Sequence, residues 1–265
     1  MPRTILVVSA HAADFVWRAA GAIATLVEGG GTAHVVALSY GERGESGELW
    51  KEEGQTEERV KEIRHGEAQT AAAALGADFR SLDLGDYPLV MDAAAVERLT
   101  DLIRALEPQL IFTHAARDPF NPDHGVAHEA TVQARQLASG AGVASAFKTI
   151  PPPELLLFEP HQPELCGFVP TTFLDITPVW DKKVAAMEAM GAQGYLRQYY
   201  SERAEHRANH ARRISGRTDV RYAEAFQREI PVVVDSLCPT TRLSPGSASQ
   251  PSTRPPAAPG SSTCR

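Results

Sequence analysis

The chain has 265 residues, a formal net charge of -7 and a pI near 5.7. This length suits one α/β domain with a large core, and the acidic balance gives no support for a nucleic-acid or membrane-surface partner. Because no apolar run approaches the ~18 residues of a membrane span, and the start lacks a secretory leader pattern, we expect a cytoplasmic protein.

Apolar, strand-like runs alternate with helical patterns along most of the chain. We predict strands at residues 5–8, 34–39, 79–84, 109–113, 155–158 and 172–176. We predict helices at residues 15–28, 52–75, 93–106, 124–137 and 179–205, the last open to interruption near Gly191 and Gly194. This alternation predicts a single α/β domain with a Rossmann-like, mostly parallel sheet flanked by helices.

The last segment of the chain differs in composition. From Pro239 to Arg265 it is dominated by Pro, Ser, Thr, Gly and Ala, with Leu243 as its only large aliphatic residue. Such a segment cannot bury enough apolar surface to offset the entropy lost on ordering. We therefore predict a folded domain over residues 1–236 and a disordered tail over residues 237–265.

Histidines and carboxylates stand where predicted strands end. His11 and Asp14 follow the first strand, and His114 ends a later one, ahead of a loop that bears Asp123 and His124. In an open parallel sheet, ligands bind at the carboxyl ends of the strands. His11, Asp14 and His124 are therefore candidate ligands of a divalent, zinc-like ion with open coordination positions.

Three neighbours of this set each have two alternative roles. Asp123 either orients His124 as its hydrogen-bonding partner or caps the helix that follows. His114 either lines the pocket or forms a hydrogen bond at its rim. His128 follows His124 by one helical turn, and a structural role suits it better than ligation.

The same residues carry a resemblance to the PIG-L (LmbE-like) family of zinc-dependent N-acetylglucosamine-type deacetylases. The resemblance rests on the first strand with its H-x-x-D, on GERG and on PDH. In that family the first motif is usually His-Pro-Asp-Asp, and its first aspartate is the general base; here that position is Ala13. The later His-Pro-Asp-His motif has Asn121 in place of its first histidine. The metal ligands are kept, whereas two working residues of a deacetylase are absent.

A second resemblance, over residues 4–225, is to the 4-oxalomesaconate hydratases, which are PIG-L-fold enzymes of bacterial gallate and protocatechuate degradation. It rests on SAHAADFVWRAAGAIA, LSYGERGESGELW, LGDYPL, FEPHQPE and TFLDITPVWD. The resemblance implies that water is added to the conjugated double bond of a tricarboxylate, giving 4-carboxy-4-hydroxy-2-oxoadipate. It also implies a Zn²⁺ cofactor, or another divalent metal such as Mn²⁺ or Co²⁺, and a homo-oligomer.

The hydratase resemblance points to two acid–base residues. Glu45, in the GERGES loop after the second strand, would replace the missing base, with Glu42 and Glu48 as alternatives. His161 lies in FEPHQPE, in a loop stiffened by the prolines on either side. One of Glu45 and His161 would remove a proton and the other would donate one, and the sequence does not order these roles.

The carboxylates of such a substrate require basic or amide partners. Arg43 is the first candidate for a bidentate clamp, and Arg18 and Arg117 are weaker ones. Asn121 is the candidate amide for substrate binding. The alternatives are a zinc-dependent deacetylase of an N-acetyl sugar-type substrate with a replacement base, and a non-catalytic metal- or carboxylate-binding relative.

Overall fold

The computed structural model describes residues 3–233. All helices and strands below belong to one compact unit, Met1–Pro231. Of a second unit, Val232–Arg265, only Val232 and Val233 are described. The predicted domain boundary at residue 236 and the predicted tail at residues 237–265 lie outside the described residues.

The core of the fold is a seven-stranded sheet in the order β3-β2-β1-β4-β5-β7-β6. The strands are β1 (Thr4–Ser9), β2 (Thr32–Ala37), β3 (Asp78–Ser81), β4 (Leu110–Thr113), β5 (Glu154–Phe158), β6 (Thr172–Asp175) and β7 (Ala223–Gln227). The first five strands pair in parallel, and β7 runs antiparallel to both β5 and β6. The order reverses at β1 and β4, where α/β sheets bind their ligands.

Within residues 3–233, six helices accompany this sheet. They are α1 (Asp14–Glu28), α2 (Glu57–Leu75), α3 (Ala93–Leu106), α4 (Pro122–Ala138), α5 (Trp180–Glu188) and α6 (Leu196–Ser215). The predicted start of α2 at residue 52 is too early, because Thr56 caps the helix by accepting a hydrogen bond from the backbone N–H of Arg59 at 3.2 Å. No helix within residues 3–233 has the length and apolarity to cross a membrane.

The predicted helix at residues 179–205 is two helices. The chain breaks between α5 and α6, where Gly191–Gln193 forms a single 3-10 turn, and α6 then continues to Ser215. The sequence prediction allowed for an interruption of this helix near Gly191 and Gly194, and the structure has the break there. The break matters for the site, because it carries Gln193 into the interior.

Strand β7 is absent from the sequence prediction. Its sequence, AEAFQ, has a glutamate at its second position, which favours neither a buried strand nor a regular alternation. Glu224 is nevertheless buried, because it forms an ion pair with Lys183 at 2.6 Å and accepts the backbone N–H groups of Gly21 and Ala22. Tertiary pairing thus allows a charged residue inside the sheet.

Strand β1 is buried on both sides. Ile5 and Val7 join the hydrophobic core with α1, α2 and α5, whereas Leu6 and Val8 join the core with α3 and α4. Side chains alternate between the two faces of a strand, so a continuous apolar run is what a central parallel strand requires. The polar residues that follow β1 and β4 are thereby delivered to one edge of the sheet.

Candidate metal centre and its cavity

His11, Asp14 and His124 converge at this edge. His11 follows β1, Asp14 is the first residue of α1, and His124 lies in the first turn of α4, which follows the neighbouring strand β4. His11 Nδ1 lies 3.5 Å from Asp14 Oδ2, and His124 Nε2 lies 3.5 Å from Asp14 Oδ1. One ligand atom from each of these buried residues lies within 4.8 Å of the others, so the group could hold a metal ion.

Each histidine has a carboxylate at its other ring nitrogen. His11 Nε2 lies 3.3 Å from Asp123 Oδ2, and His124 Nδ1 lies 2.9 Å from Asp118 Oδ2. A carboxylate accepts, so in the neutral imidazole the facing nitrogen carries the hydrogen and the opposite nitrogen has the lone pair. Those opposite nitrogens, Nδ1 of His11 and Nε2 of His124, are buried without a hydrogen-bond partner among the described residues. Such atoms are costly unless they meet a ligand, and they fit a metal ion.

The ion pairs of this group leave Asp14 negatively charged. Burial raises the pKa of Asp14, but His114, His124 and His11 together hold it well below its usual range. Burial lowers the pKa of His11, whereas contacts with Asp123 and Asp14 and the charge of Glu45 raise it to about 10. A cation bound at His11 Nδ1 would have to replace a proton there.

A second grouping of His11, Asp86 and Asp123 is close enough for a metal ion, but its carboxylates are engaged. The oxygens of Asp86 accept the backbone N–H groups of Arg43 and Gly44 at 2.9 and 2.7 Å. Those of Asp123 accept from the backbone N–H groups of residues 87 and 89 at 2.9 and 3.0 Å. These carboxylates hold loops in place, which leaves His11, Asp14 and His124 as the candidate ligand set.

Asp118 has a place in the site that the sequence did not indicate. Asp123 was expected beside His124 or as a helix cap, but it lies against His11, and α4 has no side-chain cap bond at Asn121. Asp118, in the loop before α4, holds His124 instead. Its only sequence signal is its position between β4 and the PDH motif.

We expect Asp118→Asn to weaken zinc binding by about 10- to 100-fold while the protein stays folded, because the amide no longer supports the lone pair of His124 as a carboxylate does. Competition with a chromophoric chelator measures the affinity. Asp181→Asn, at an exposed residue of α5, is the matched control. Unchanged zinc affinity in Asp118→Asn would remove the case for His124 as a ligand oriented by Asp118.

A cavity of about 280 Å³ opens beside the ligand set. Besides Asp14 and His124, it is lined by four other residues with predicted roles: Glu45, Asn121, His161 and Arg18, the last as a weaker clamp candidate. The remaining walls come from α1, the loops before α3 and α4, the loop after β5, the turn between α5 and α6, and the start of α6. They include Trp17, Tyr87, Asp118, Phe120, Gln162, Gln193, Tyr195, Leu196 and Tyr200.

Glu45 is held against the ligand set by two amides. Its Oε1 accepts from Asn121 Nδ2 at 2.7 Å, and its Oε2 accepts from Gln193 Nε2 at 2.7 Å. Oε1 also lies 3.7 Å from His11 Nδ1. Two donors, one on each oxygen, hold the side chain of Glu45 in a single orientation.

The orientation of Gln193 is itself determined by its neighbours. Its Oε1 accepts from Trp17 Nε1 at 3.3 Å and from Arg64 Nη2 at 3.0 Å. With the oxygen occupied by two donors, the amide nitrogen must face Glu45. No sequence pattern around Gln193 indicated this role, because its partners lie on three distant segments.

The other glutamates of the loop are directed elsewhere. Glu42 is fully buried and accepts the backbone N–H of Tyr40 at 3.1 Å. Glu48 is exposed and pairs with Lys51 at 2.6 Å. Neither residue lines the cavity, so Glu45 is the carboxylate of this loop with access to it.

His161 lies at the cavity wall formed by α6. Its ring stacks on Tyr199 with centroids 4.1 Å apart, and its Nδ1 lies 3.5 Å from the hydroxyl of Tyr200. Arg203 Nη2 donates to its carbonyl oxygen at 2.9 Å. Burial, followed by the charges of Arg18 and Arg203, lowers the pKa of His161, so its ring is neutral at neutral pH in the free protein.

The structure does not bring Arg43 to the cavity. Its guanidinium donates to the carboxylate of Glu57 at 3.0 and 3.1 Å and to the carbonyl oxygen of Asp86 at 3.1 Å. Because Asp86 also accepts the backbone N–H of Arg43, the loop turns so that Glu45 faces inward and Arg43 outward. Arg43 is not among the residues that line the cavity, so its position lends no support to the predicted role of substrate clamp.

His114 and His128 support the site from outside the cavity. His114 Nε2 accepts the backbone N–H of Ala10 at 2.9 Å, and its ring stacks on His124 with centroids 4.0 Å apart. His128 Nδ1 lies 2.9 Å from the carbonyl oxygen of His114. Both rings are thus used in packing and hydrogen bonding.

Known proteins share this arrangement of sequence and fold. The sequence profile of the PIG-L family, described as GlcNAc-PI de-N-acetylase, matches residues 6–135. The 4-oxalmesaconate hydratase of Pseudomonas putida KT2440 is 46% identical over 238 residues, which are 89% of this chain and 92% of that protein. The chain belongs to the PIG-L family. The expected α/β fold, with its mostly parallel sheet, is confirmed as a PIG-L fold.

Members of the PIG-L family match different shares of this chain. The crystal structure of GalB, the 4-carboxy-2-hydroxymuconate hydratase from P. putida KT2440, superposes with a TM-score of 0.86 at 45% identity and covers 89% of this chain and 100% of that one. A 1D-myo-inositol 2-acetamido-2-deoxy-alpha-D-glucopyranoside deacetylase of Thermomonospora curvata is 35% identical over 159 residues, which are 52% of this chain and 54% of that protein. The hydratases match nearly the whole chain, and this deacetylase matches about half.

Proposed function

We propose that the chain is a hydro-lyase that adds water to the conjugated double bond of 4-oxalomesaconate, giving 4-carboxy-4-hydroxy-2-oxoadipate. The observation that carries this proposal is the 46% identity with a hydratase over 89% of the chain. The position of Glu45 agrees with it, since Glu45 lies 3.7 Å from His11 while the base position of the deacetylases holds Ala13. A small-molecule tricarboxylate is therefore the proposed substrate.

We propose that His11, Asp14 and His124 hold a divalent metal ion. The two unpartnered imidazole nitrogens and the ionised carboxylate support this assignment. Zn²⁺ is the first choice, and Mn²⁺ or Co²⁺ would suit the same mixed set of ligands. A bound ion would stabilise negative charge on an oxygen as a Lewis acid or lower the pKa of water.

Glu45 is the proposed acceptor of the proton from the attacking water. It lines the cavity beside the ligand set, and hydrogen bonds from the amides of Asn121 and Gln193 fix its orientation. A base must reach the proton that it removes, and this position places Glu45 next to the candidate ligand His11. Asn121, proposed from the sequence to bind substrate, also has a buried, unpartnered Oδ1 at this wall.

His161 is the proposed donor of a proton to the other alkene carbon. It shares the cavity with Glu45, and its ring position is maintained by Tyr199 and Tyr200. An anionic substrate in the cavity offsets the positive charges of Arg18 and Arg203 that lower the pKa of His161. Substrate binding would therefore raise this pKa and load the ring with the proton that it delivers.

We expect the pKa of His161, which lies below 6.5 in the free protein, to rise when a tricarboxylate product binds. The ring then stays protonated to higher pH, so kcat should fall as pH rises through the pKa of the complex. NMR titration of the His161 ring with and without product measures its pKa in the free protein and in the complex. The signal that is missing in the His161→Gln variant belongs to His161. An unchanged or lower pKa in the complex would contradict the role as proton donor.

The homo-oligomer expected from the resemblance and the cytoplasmic location expected from the sequence pattern both stay predictions. The alternative of a deacetylase has weaker support, because Ala13 cannot act as a base and similarity to the deacetylase covers about half of the chain.

Turnover of 4-oxalomesaconate by the purified, metal-loaded protein tests the proposed function. We expect the enone absorbance to fall as a hydrated product forms, the rate to vanish with a chelator, and the rate to return when Zn²⁺ is added back. Release of acetate from an N-acetylated sugar, with no hydration of 4-oxalomesaconate, would overturn the proposal. No turnover of either substrate would favour the non-catalytic alternative.

A further inference from the structure

Arg18 is a buried arginine whose donors are mostly unused. Its Nη1 donates to the carbonyl oxygen of Glu159 at 3.2 Å, and its Nε has no hydrogen-bond partner among the described residues. Other buried arginines of this protein are well satisfied. Arg104 donates to backbone carbonyls from all three nitrogens, and Arg207 donates to Glu159 from Nε and Nη2. Because buried polar groups are normally hydrogen-bonded, the free donors of Arg18 point to a ligand.

The charge of the cavity strengthens this conclusion. Three carboxylates, Asp14, Glu45 and Asp118, line it, and Arg18 is the only Lys or Arg among the described lining residues. A tricarboxylate entering a space with these acids would be repelled unless cations opposed them. Arg18 supplies one such charge, on a side chain that is 6% exposed, where water screens it weakly.

The position of Arg18 relates it to the reacting groups. It lies one helical turn after Asp14 on α1, and its Nε is 3.4 Å from Asp14 Oδ1 without a hydrogen bond between them. Trp17 and Tyr200, stacked with centroids 5.4 Å apart, form the adjoining wall. An anion bound by Arg18 is therefore held beside the candidate ligand set, on a rigid element of the fold.

We propose that Arg18 binds a carboxylate of the substrate and selects tricarboxylates over neutral, acylated substrates of the kind that deacetylases use. This inference rests on the proposed function, since it identifies the group that recognises the proposed substrate class. A planar guanidinium whose buried Nε has no partner among the described residues fits a carboxylate. The competing explanation is that Arg18 acts only on Asp14 and so supports metal binding.

Binding measurements on the metal-loaded protein separate these explanations. The variants are Arg18→Met, which removes the charge, and Arg18→Lys, which keeps it without the planar fork. Arg228→Met is the control, because Arg228 pairs with Glu154 at 2.8 Å where β5 begins, at the opposite edge of the sheet. Calorimetry gives the Kd for propane-1,2,3-tricarboxylate, and each sample is assayed for bound zinc and for thermal unfolding.

We expect Arg18→Met to raise the Kd for the tricarboxylate and the KM for 4-oxalomesaconate by about 10- to 150-fold at unchanged zinc content. Arg18→Lys should recover part of this loss, and Arg228→Met should match the wild type. The proposal would be overturned if Arg18→Met bound zinc more weakly but, once loaded with metal, kept the wild-type Kd for the tricarboxylate. Arg18 would then act only by supporting Asp14 as a metal ligand.

The failure of the proposed function is distinguishable in the same experiment. If the wild type binds the tricarboxylate and Arg18→Met does not, the inference on Arg18 holds even when 4-oxalomesaconate is not hydrated. If the wild type hydrates 4-oxalomesaconate while Arg18→Met binds the tricarboxylate as tightly, the role of Arg18 is wrong and the function stands. Absence of tricarboxylate binding in the wild type overturns the inference on Arg18, whereas only absence of 4-oxalomesaconate hydration overturns the proposed function.

Discussion

Glu45→Gln should lower kcat for hydration by about 100- to 10,000-fold, the usual contribution of a positioned general base. The glutamine side chain keeps the size of Glu45 and one oxygen, but it cannot take a proton from water. It also leaves one of the two amides, Asn121 or Gln193, without its acceptor. Initial rates from the enone absorbance at saturating substrate measure the loss.

The interpretation of Glu45→Gln depends on the metal site staying intact. Glu45 is not among the candidate ligands, so zinc content measured by elemental analysis should equal that of the wild type. Glu53→Gln, at an exposed position of the same segment, is the matched control and should keep full activity. A kcat within a few-fold of wild type for Glu45→Gln would exclude Glu45 as the base.

His124→Ala should abolish stoichiometric zinc binding and reduce hydration by at least about 1,000-fold. The variant removes one of three candidate ligands, and a Lewis acid contributes several kcal/mol to the stabilisation of developing charge. It also leaves Asp118 buried without its imidazole partner. Zinc content after dialysis and initial rates with added Zn²⁺ give the two readouts.

A control and a folding check accompany this variant. His206→Ala, at an exposed position of α6, should retain zinc and activity. Circular dichroism and thermal unfolding show whether His124→Ala stays folded. A folded His124→Ala protein with full zinc content and wild-type rates would exclude the His11, Asp14 and His124 set as the catalytic metal centre.

The sequence alone predicted the elements that depend on local pattern. The alternation of apolar runs and helical periods predicted the strands β1 to β6 and the parallel sheet, since a strand buried on both faces needs a continuous apolar stretch. It also predicted that His11, Asp14 and His124 meet, because residues after adjacent parallel strands share one edge. That position is a consequence of chain order and required no knowledge of side-chain contacts.

Contacts between distant segments decided what the sequence left open or wrong. Gln193 reaches Glu45 across 148 residues, and Asp123 reaches His11 across 112. No periodicity or motif in the sequence indicates either contact, so only the placement of α4 and of the turn between α5 and α6 at the sheet edge reveals them. Strand β7 was missed for the same reason, since the ion pair of Glu224 with Lys183 joins segments 41 residues apart.

The choice between two arginines illustrates the difference most clearly. Arg43 and Arg18 both stand near motifs that end strands, and the sequence favoured Arg43. In the folded chain, Glu57 and Asp86 satisfy Arg43 outside the cavity, whereas Arg18 stays buried inside it with unused donors. A motif determines which residues approach a site. Which of them face it depends on the hydrogen-bond partners that the tertiary structure provides, because a satisfied donor is not available to a ligand.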